Sequence, residues 1–221
     1  MENILDFNFD KSWEYENGFY ITSPISRLSK MVSHFELYKS IIDLPGEIIE
    51  CGVFKGASFI RFATFREILE SAYSRKIIGF DAFGDFPETE RKIDNEFIKK
   101  FEGEAGTGIS KDDLKKIMRY KNINNYELIS GDILETIPTY LSNNPSLKIS
   151  LLHIDVDVYE PTKIILENLF ERVVKNGLIV FDDYGKVEGE TKAVDEFLKN
   201  NNMEYVIKKD SFSHVPSYIR K

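Results

Sequence analysis

The fold is decided by residues 149–185, whose sequence is ISLLHIDVDVYEPTKIILENLFERVVKNGLIVFDDYG. Two short apolar runs, Ile149–Ile154 and Leu178–Phe181, have the composition of strands that are buried on both faces. Between them, apolar residues recur at helical spacing, at Ile165, Leu166, Leu169, Phe170, Val173 and Val174. This order of strand, helix and strand predicts a crossover unit, in which the two strands run parallel.

Acidic residues follow both of these strands. Asp155 and Asp157 come after the first strand, and Asp182 and Asp183 come after the second. Because parallel strands end at the same edge of a sheet, the four carboxylates are expected to converge where α/β folds bind ligands. Their mutual repulsion is most simply offset by a divalent cation with oxygen ligands. The alternative is that one or two of these acids only cap the next helix or turn.

Size and charge limit the classes of function. The 221 residues suit one domain, 1–221, and the net charge of −8 argues against a general nucleic-acid surface. No apolar run is long enough to span a membrane, and the start of the chain lacks the features of a secretory signal. Cys51 is the only cysteine, which excludes an internal disulfide and a cysteine-based zinc site. We expect a cytoplasmic enzyme or binding protein that acts on small molecules.

The N-terminal segment, residues 1–45, is expected to form an arm followed by a helix. Residues 1–22 are rich in aromatic side chains, which would cover the core or the active edge, or pack on a second subunit. Residues 24–44 carry a helical apolar stripe that ends at Pro45-Gly46. His34 lies on this helix with no second histidine nearby in the sequence, and we interpret it as structural or exposed.

A glycine-containing turn follows the first central strand. Glu47–Cys51 predicts that strand, and residues 52–58, GVFKGAS, lead into a strongly apolar helix. In this geometry, backbone N–H groups can approach a ligand closely. Gly52 and Gly56 are separated by three residues, so the G-x-G-x-x-G motif of dinucleotide binders is absent. A tight turn without a ligand is the alternative.

Two further strands end in polar residues. Lys76–Phe80 is followed by Asp81, which is placed to accept the hydroxyls of a ribose or to cap a turn. Residues 84–120 form a long charged insertion, interpreted as a lid or as a solvated helical face. Tyr126–Ile129 predicts a third strand, which runs into the turn at residues 130–132. The sequence therefore predicts several polar groups at one edge of the sheet.

The C-terminal part completes an α/β fold. Thr191–Asn200 predicts a helix, and Glu204–Lys208 with Ser213–Ile219 predicts an antiparallel strand pair at the sheet edge. His214 would face the site or pack in the sheet, and packing is favoured. The expected architecture is a doubly wound sheet with helices on both faces and a C-terminal antiparallel strand pair.

Five motifs occur in an order that is typical of one family. They are ECGVFKGAS, GFDAFG, SGD, HIDVDVYEPT and FDDYG…KAVDEF, between about residues 46 and 200. Together they resemble the macrocin O-methyltransferase family of metal-dependent sugar methyltransferases. The resemblance implies a Rossmann-like class I S-adenosylmethionine (SAM) methyltransferase fold, with SAM and Mg²⁺, or alternatively Mn²⁺, as cofactors.

The resemblance also implies roles for particular residues. The residues around the methionine part of SAM would be Glu50, Cys51, Gly52, Val53, Gly56 and Ser58. Asp81 would hold the ribose, and Ser130, Gly131 and Asp132 would lie beside the adenine. Asp155, Asp182 and Asp183 would bind the metal, with Asp155 also touching the cofactor and taking part in catalysis. Asp157 is similar to the residue proposed as general base in that family.

The chemistry that this resemblance implies is an in-line displacement of the sulfonium methyl group by an acceptor oxygen. A cation beside that oxygen stabilises its developing charge, and a carboxylate accepts the proton. Catechol-type methyltransferases place a lysine base three residues after the first metal acid, where this sequence has Val158. The favoured acceptor is therefore a sugar hydroxyl, nucleotide-linked or glycan-attached. The family resemblance also implies a homo-oligomer. The acidic net charge predicts that the protein has no nucleic-acid partner. The alternatives are methylation of another small metabolite or carbohydrate substituent, a metal-dependent hydrolase, or a nucleotide-binding module.

Overall fold

A seven-stranded mixed sheet forms the centre of the protein in a computed structural model that describes residues 4–213 and 215–221. The strands are β1 (Glu47–Cys51), β2 (Ile77–Asp81), β3 (Tyr126–Ser130), β4 (Ile149–Ile154), β5 (Val173–Phe181), β6 (Lys208–Lys209) and β7 (Ser217–Arg220). Their order is β3-β2-β1-β4-β5-β7-β6, with β1 to β5 parallel and β7 antiparallel to both of its neighbours. The predicted doubly wound sheet with a C-terminal antiparallel pair is confirmed.

Helices connect the parallel strands and cover both faces of the sheet. They are α1 (Ser12–Thr22), α2 (Ile25–Lys39), α3 (Ala57–Leu69), α4 (Lys92–Ala105), α5 (Lys111–Tyr120), α6 (Ile133–Asn143), α7 (Tyr159–Leu169) and α8 (Glu188–Asn200). Short 3₁₀ turns lie at Phe9–Lys11 and Phe170–Arg172. Among the described residues, none of these helices is both long and apolar enough to cross a bilayer.

The core lies in two layers, one on each side of the sheet. Ile48 and Leu151 pack with apolar residues of α2, α3 and α5, whereas Ile49 and Leu152 pack with those of α6, α7 and α8. All four side chains are fully buried, and each such burial is worth about 1.5–3 kcal/mol. A register shift of one residue would exchange the two layers, so packing on both faces fixes where each strand ends.

The order of the strands creates a cleft above the centre of the sheet. β1 pairs with β2 on one side and with β4 on the other, so the direction of winding reverses between β1 and β4. Cys51 lies level with Ile154, and Ile154 lies level with Phe181. The segments that follow β1, β4 and β5 therefore leave the sheet side by side, at the position where open α/β sheets bind ligands.

Several boundaries differ from the sequence-based prediction. Val173 and Val174 begin β5 and do not end the preceding helix, because α7 stops at Leu169 and a 3₁₀ turn intervenes. The predicted strand Glu204–Lys208 is also wrong, since β6 consists only of Lys208–Lys209. Tyr205 and Ile207 of the predicted strand pack on the core without strand pairing. The predicted strand Ser213–Ile219 begins later than expected, because β7 is Ser217–Arg220. His214 lies outside the described residues.

The N-terminal segment and the insertion each divide into two parts. No residue of α1 is buried, and Trp13 is 77% exposed, so α1 does not cover the core. α2, in contrast, packs against α3. In the insertion, α5 buries Leu114 and Met118 in the core, whereas residues of the loop before α4 and of α4 line the cleft.

Candidate active site

A cavity of about 340 Å³ opens in the cleft at the carboxyl ends of the parallel strands. Its volume lies within the usual range for small-molecule sites. The glycine turn, the tips of β2 to β5, the N-terminal parts of α2 and α3, and the insertion all contribute to its wall. Phe86 and Phe101 are the aromatic side chains that the insertion contributes. The action of residues 84–120 as a lid stays a prediction.

The glycine turn touches the tip of β4. Gly52 has a φ of +89°, and a Cβ atom at this position would lie 1.8 Å from the carbonyl oxygen of Asp155. Gly56 has a φ of +81° and begins α3. A residue without a side chain is therefore required at position 52, both for the backbone conformation and for the close approach of two strand tips.

Asp81 holds this turn in place from the tip of β2. Its Oδ2 accepts hydrogen bonds from the backbone N–H groups of Val53 and Phe54, at 2.6 and 2.9 Å. Its Oδ1 accepts from the N–H of Phe83 at 2.6 Å. Asp81 also lines the cavity. The structure thus places it beside the glycine turn, and its contact with a ribose stays a prediction.

Three acids converge at the tips of β4 and β5. One carboxylate oxygen each from Asp155, Asp182 and Asp183 lies within 4.8 Å of the other two. Removal from water and the charge of Asp182 raise the pKa of Asp155 well above its usual range, and the same two causes raise the pKa of Asp183. Burial, followed by the charges of Asp183 and Asp182, raises the pKa of Asp157 to about 8. The predicted convergence of the four aspartates is therefore observed.

A buried histidine joins this cluster to β1. His153 Nδ1 lies 3.0 Å from Glu50 Oε1, and His153 Nε2 lies 3.2 Å from Asp182 Oδ1. Burial favours the neutral ring, but the hydrogen bonds to Asp182 and Glu50 outweigh it and raise the pKa of His153 to about 10. Both nitrogens of a protonated ring donate, which satisfies both carboxylates. His153 is therefore a buried, hydrogen-bonded residue that links Asp182 to Glu50.

Helix α2 supplies two side chains that the sequence analysis did not assign to the site. The ammonium group of Lys30 pairs with Asp182 Oδ2. His34 is fully buried, with Nε2 3.7 Å from Asp182 Oδ1 and Nδ1 3.1 Å from Nη1 of Arg61. Burial lowers the pKa of His34 to about 3, so the neutral ring accepts from Arg61. The interpretation of His34 as exposed is wrong, because α2 packs directly over the acid cluster.

The acid cluster fits a hard divalent cation. Asp155, Asp182 and Asp183 offer the carboxylate oxygens that Mg²⁺ prefers, and repulsion among them is what a cation would relieve. Both carboxylate oxygens of Asp182 already have partners, because Lys30 pairs with its Oδ2 and His153 Nε2 lies 3.2 Å from its Oδ1. Binding of a cation to Asp182 would therefore require an oxygen that is now shared with Lys30 or His153.

Ten of the predicted site residues line the cavity. They are Gly52, Val53, Ser58, Asp81, Gly131, Asp132, Asp155, Asp157, Asp182 and Asp183. The other four predicted residues lie just outside the cavity wall. Glu50 is buried against His153, Cys51 packs in the core, Gly56 sits beneath the start of α3, and Ser130 ends β3.

Glu190 at the start of α8 is a further buried acid that the sequence analysis did not identify. Its Oε1 accepts a hydrogen bond from the N–H of Asp183 at 3.0 Å, which orients the end of β5. Burial and the charge of Asp183 raise the pKa of Glu190 well above its usual range. No local pattern marked it, because a glutamate near a helix N-terminus is ordinary helix chemistry.

The strand order, the glycine turn and the acids at the strand tips define the class I SAM-dependent methyltransferase fold. The solved structures that share this fold include two methyltransferases. The calicheamicin methyltransferase CalS11 is 25% identical, with a TM-score of 0.74 over 98% of this chain and 88% of that chain. The O-methyltransferase NovP is 20% identical, with a TM-score of 0.76 over 87% of this chain and 79% of that chain, and shows likeness of fold alone.

The chain belongs to the macrocin-O-methyltransferase (TylF) family, whose model matches residues 26–219. The predicted family is therefore confirmed. A tetracenomycin-C rhamnosyl 4'-O-methyltransferase of Streptomyces olivaceus is 27% identical over 64% of this chain. Demethyldecarbamoylnovobiocin O-methyltransferase of Streptomyces niveus is 25% identical over 70% of this chain. The matched part of this chain spans 54% and 59% of these two relatives.

Proposed function

We propose that this protein is a SAM-dependent O-methyltransferase that methylates a sugar hydroxyl, nucleotide-linked or glycan-attached, with the help of a divalent cation. The observation that carries the proposal is the convergence of Asp155, Asp182 and Asp183 at the edge of a cavity that the glycine turn also lines. The names of the relatives support the acceptor class. One of them is titled a TDP-rhamnose 3'-O-methyltransferase, and another acts on a rhamnosyl group.

The residues of the chain would divide the work of the reaction. Asp155, Asp182 and Asp183 would hold a cation that would stabilise negative charge on the acceptor oxygen when bound, and bound SAM would supply the methyl group. The glycine turn and Asp81 would bind and orient the cofactor, as the family resemblance implies. Positioning of both reactants accounts for much of the acceleration in such reactions.

Asp157 is the proposed general base. It lines the cavity two residues after Asp155, and its φ of +63° is set at the sharp turn between β4 and α7. Its carboxylate would accept the proton of the acceptor hydroxyl, a step that typically contributes 10²–10⁴-fold. Val158 occupies the position at which catechol-type enzymes have a lysine, so a lysine base is absent at that point of the turn.

Methyl transfer from labelled SAM tests the proposal. A nucleotide-linked sugar, a glycosylated natural product and a catechol would be compared as acceptors, with Mg²⁺ and with a chelator. Asp182→Asn should lose at least about 100-fold in rate, because the cation and the base geometry are both disturbed. Asp112→Asn, which removes an exposed carboxylate on α5, should behave like the wild type.

Binding of S-adenosylhomocysteine shows whether an inactive variant is still folded. Asp182→Asn should still bind this product, since the glycine turn and Asp81 are unchanged. Undiminished transfer in the presence of the chelator would remove the cation from the proposal. Methylation of the catechol in preference to both sugars would replace the acceptor class.

A further inference from the structure

Two arginines line the cavity without an acidic partner. Arg27 comes from the first turns of α2, and Arg61 comes from α3. Among residues 4–213 and 215–221, neither guanidinium forms an ion pair, whereas Lys30 beside them is paired with Asp182. The side-chain contact of Arg61 in this part of the chain is the hydrogen bond to the neutral ring of His34.

Among the described residues, Arg61 therefore lies half-buried without an ion pair, whereas Arg27 is exposed at the cavity wall. A guanidinium has five N–H donors, and Arg61 uses one of them on His34. Burial lowers the pKa of Arg61, nearby acids oppose this effect, and the positive charge of Arg27 lowers the pKa further. Charged groups that leave water are normally paired, so the half-buried Arg61, with the positive charge of Arg27 near it, is suited to bind an anion.

The start of α3 adds a second feature that favours an anion. No side chain caps this 13-residue helix, because its first position is preceded by Gly56. Ala57 and Ser58 of the first turn line the cavity, and Arg61 lies one turn further along the same face. The free N–H groups at an uncapped helix start attract negative charge. They therefore favour an anion in the cavity, as the two guanidinium groups do.

We propose that Arg27 and Arg61 bind the carboxylate of the methionine moiety of SAM and thereby orient the cofactor in the cavity. The inference rests on SAM being the cofactor of the proposed function. The methionine end of SAM carries one carboxylate, and the ammonium and sulfonium groups beside it are both positive. The cavity wall has matching polarity, with acids at the tips of β4 and β5 and arginines on α2 and α3.

This polarity allows one orientation of the methionine end and opposes the reverse one. With its carboxylate on Arg27 and Arg61, SAM directs its positive groups toward Asp155 and its neighbours. The reverse orientation would place the sulfonium beside two guanidinium groups and the carboxylate beside several acids. Repulsion between like charges would therefore disfavour the reverse orientation, even if both orientations buried the same area of SAM.

Calorimetric titration with two ligands tests the inference. S-Adenosylhomocysteine has the carboxylate, and 5'-methylthioadenosine lacks the whole amino-acid part. Arg27→Gln and Arg61→Gln should each weaken S-adenosylhomocysteine binding about tenfold, as expected for one charge-assisted hydrogen bond. Binding of 5'-methylthioadenosine should change less than about twofold. The control Arg119→Gln removes an exposed arginine on α5 and should leave both affinities unchanged.

A third ligand identifies which charge is recognised. Decarboxylated SAM retains the ammonium and sulfonium groups, and its affinity should be insensitive to Arg27→Gln. Equal losses for all three ligands would show that the substitutions disturb the cavity as a whole, and would overturn the inference. If Arg61→Gln fails to fold, the exposed Arg27 still provides the complete comparison.

The outcome also separates this inference from the proposed function. Unchanged S-adenosylhomocysteine binding, with a raised KM for the acceptor, would assign the arginines to an anionic acceptor and refute the inference alone. Normal binding of all ligands by the wild type without methyl transfer to any sugar would refute the proposed function. In that case the binding data for the arginine variants would still test the inference, because they do not depend on methyl transfer.

Discussion

Replacement of Gly52 by alanine tests whether the glycine turn positions the acid cluster. A Cβ atom at this position would lie 1.8 Å from the backbone oxygen of Asp155 and 2.6 Å from its carbonyl carbon. Real Cβ atoms essentially never approach other atoms within 3.0 Å, so the tips of β1 and β4 must separate by about 1.2 Å. Neither atom belongs to a flexible side chain, so the backbone itself must move.

The expected loss of stability has two contributions. A non-glycine residue at a φ of +89° costs about 1–2 kcal/mol, and forced repacking at a tight contact costs about 1–3 kcal/mol. Gly52→Ala should therefore lower the free energy of unfolding by about 3 kcal/mol. Gly185→Ala is the matched control, since Gly185 has a φ of +79° but no atom within 4 Å of an added Cβ. Gly185→Ala should therefore be destabilised only by the cost of its positive φ, about 1–2 kcal/mol.

Urea unfolding measures the loss of stability, and a methyl-transfer assay measures the loss of activity. The stability difference between the two alanine variants should be about 2 kcal/mol. Gly52→Ala should also lose about 100-fold in methyl-transfer rate, as expected for a displacement of about 1 Å at a catalytic centre. Equal stability losses in the two variants, or full activity of folded Gly52→Ala, would refute the idea that this turn sets the position of Asp155.

Two further predictions concern charges at and away from the site. Lys30→Met removes the ammonium group that pairs with Asp182 and should therefore tighten Mn²⁺ binding by roughly tenfold. Electron paramagnetic resonance measures this affinity. Weaker Mn²⁺ binding by the variant would show instead that Lys30 helps to build the cation site. Burial and Glu127 raise the pKa of Tyr140, so the folded state disfavours its ionised form. The stability that this hydroxyl contributes is complete below pH 10 and is lost at higher pH, so the advantage of the wild type over Tyr140→Phe in urea unfolding should shrink above pH 10. A gap that stays constant with pH would contradict this assignment.

The central part of the fold could be predicted because its pattern is local. The centres of β1, β2 and β4 are short apolar runs, and a polar residue stands at or just after the strand end, as at Asp81 and Asp155. Packing on both faces fixes the register, so acids that follow neighbouring strands must converge. The convergence of the aspartates could therefore be inferred without knowledge of any long-range contact.

The start of β5 could not be predicted in the same way. Asn176-Gly177 has the composition of a turn, and Val173 and Val174 continue the helical spacing before it. In the structure Asn176 adopts a φ of +67°, and its N–H bonds the carbonyl of Lys221. β5 is therefore extended by a contact with the other end of the chain, which no local pattern reveals.

The contacts around Asp182 were missed for a related reason. His34 and His153 have ring centroids 5.1 Å apart but are separated by more than 100 positions in the sequence. Lys30 has the appearance of a solvated helical lysine, and Glu190 that of a helix N-terminal acid. Each residue is ordinary in its local context, and only the docking of α2 and α8 onto the strand tips gives it a role.

This dependence on docking gives the two parts of the N-terminal segment different roles. α1 has no buried residue, whereas α2 brings Lys30 and His34 to Asp182 and places Arg27 in the cavity wall. Three acids that would repel one another are thus balanced by a cationic side chain from a helix outside the strand-and-helix repeat. Because the charge of Asp182 is compensated partly by α2, undocking of this helix would leave a buried carboxylate with fewer partners, at considerable energetic cost. We therefore regard α2 as part of the candidate site and α1 alone as an arm.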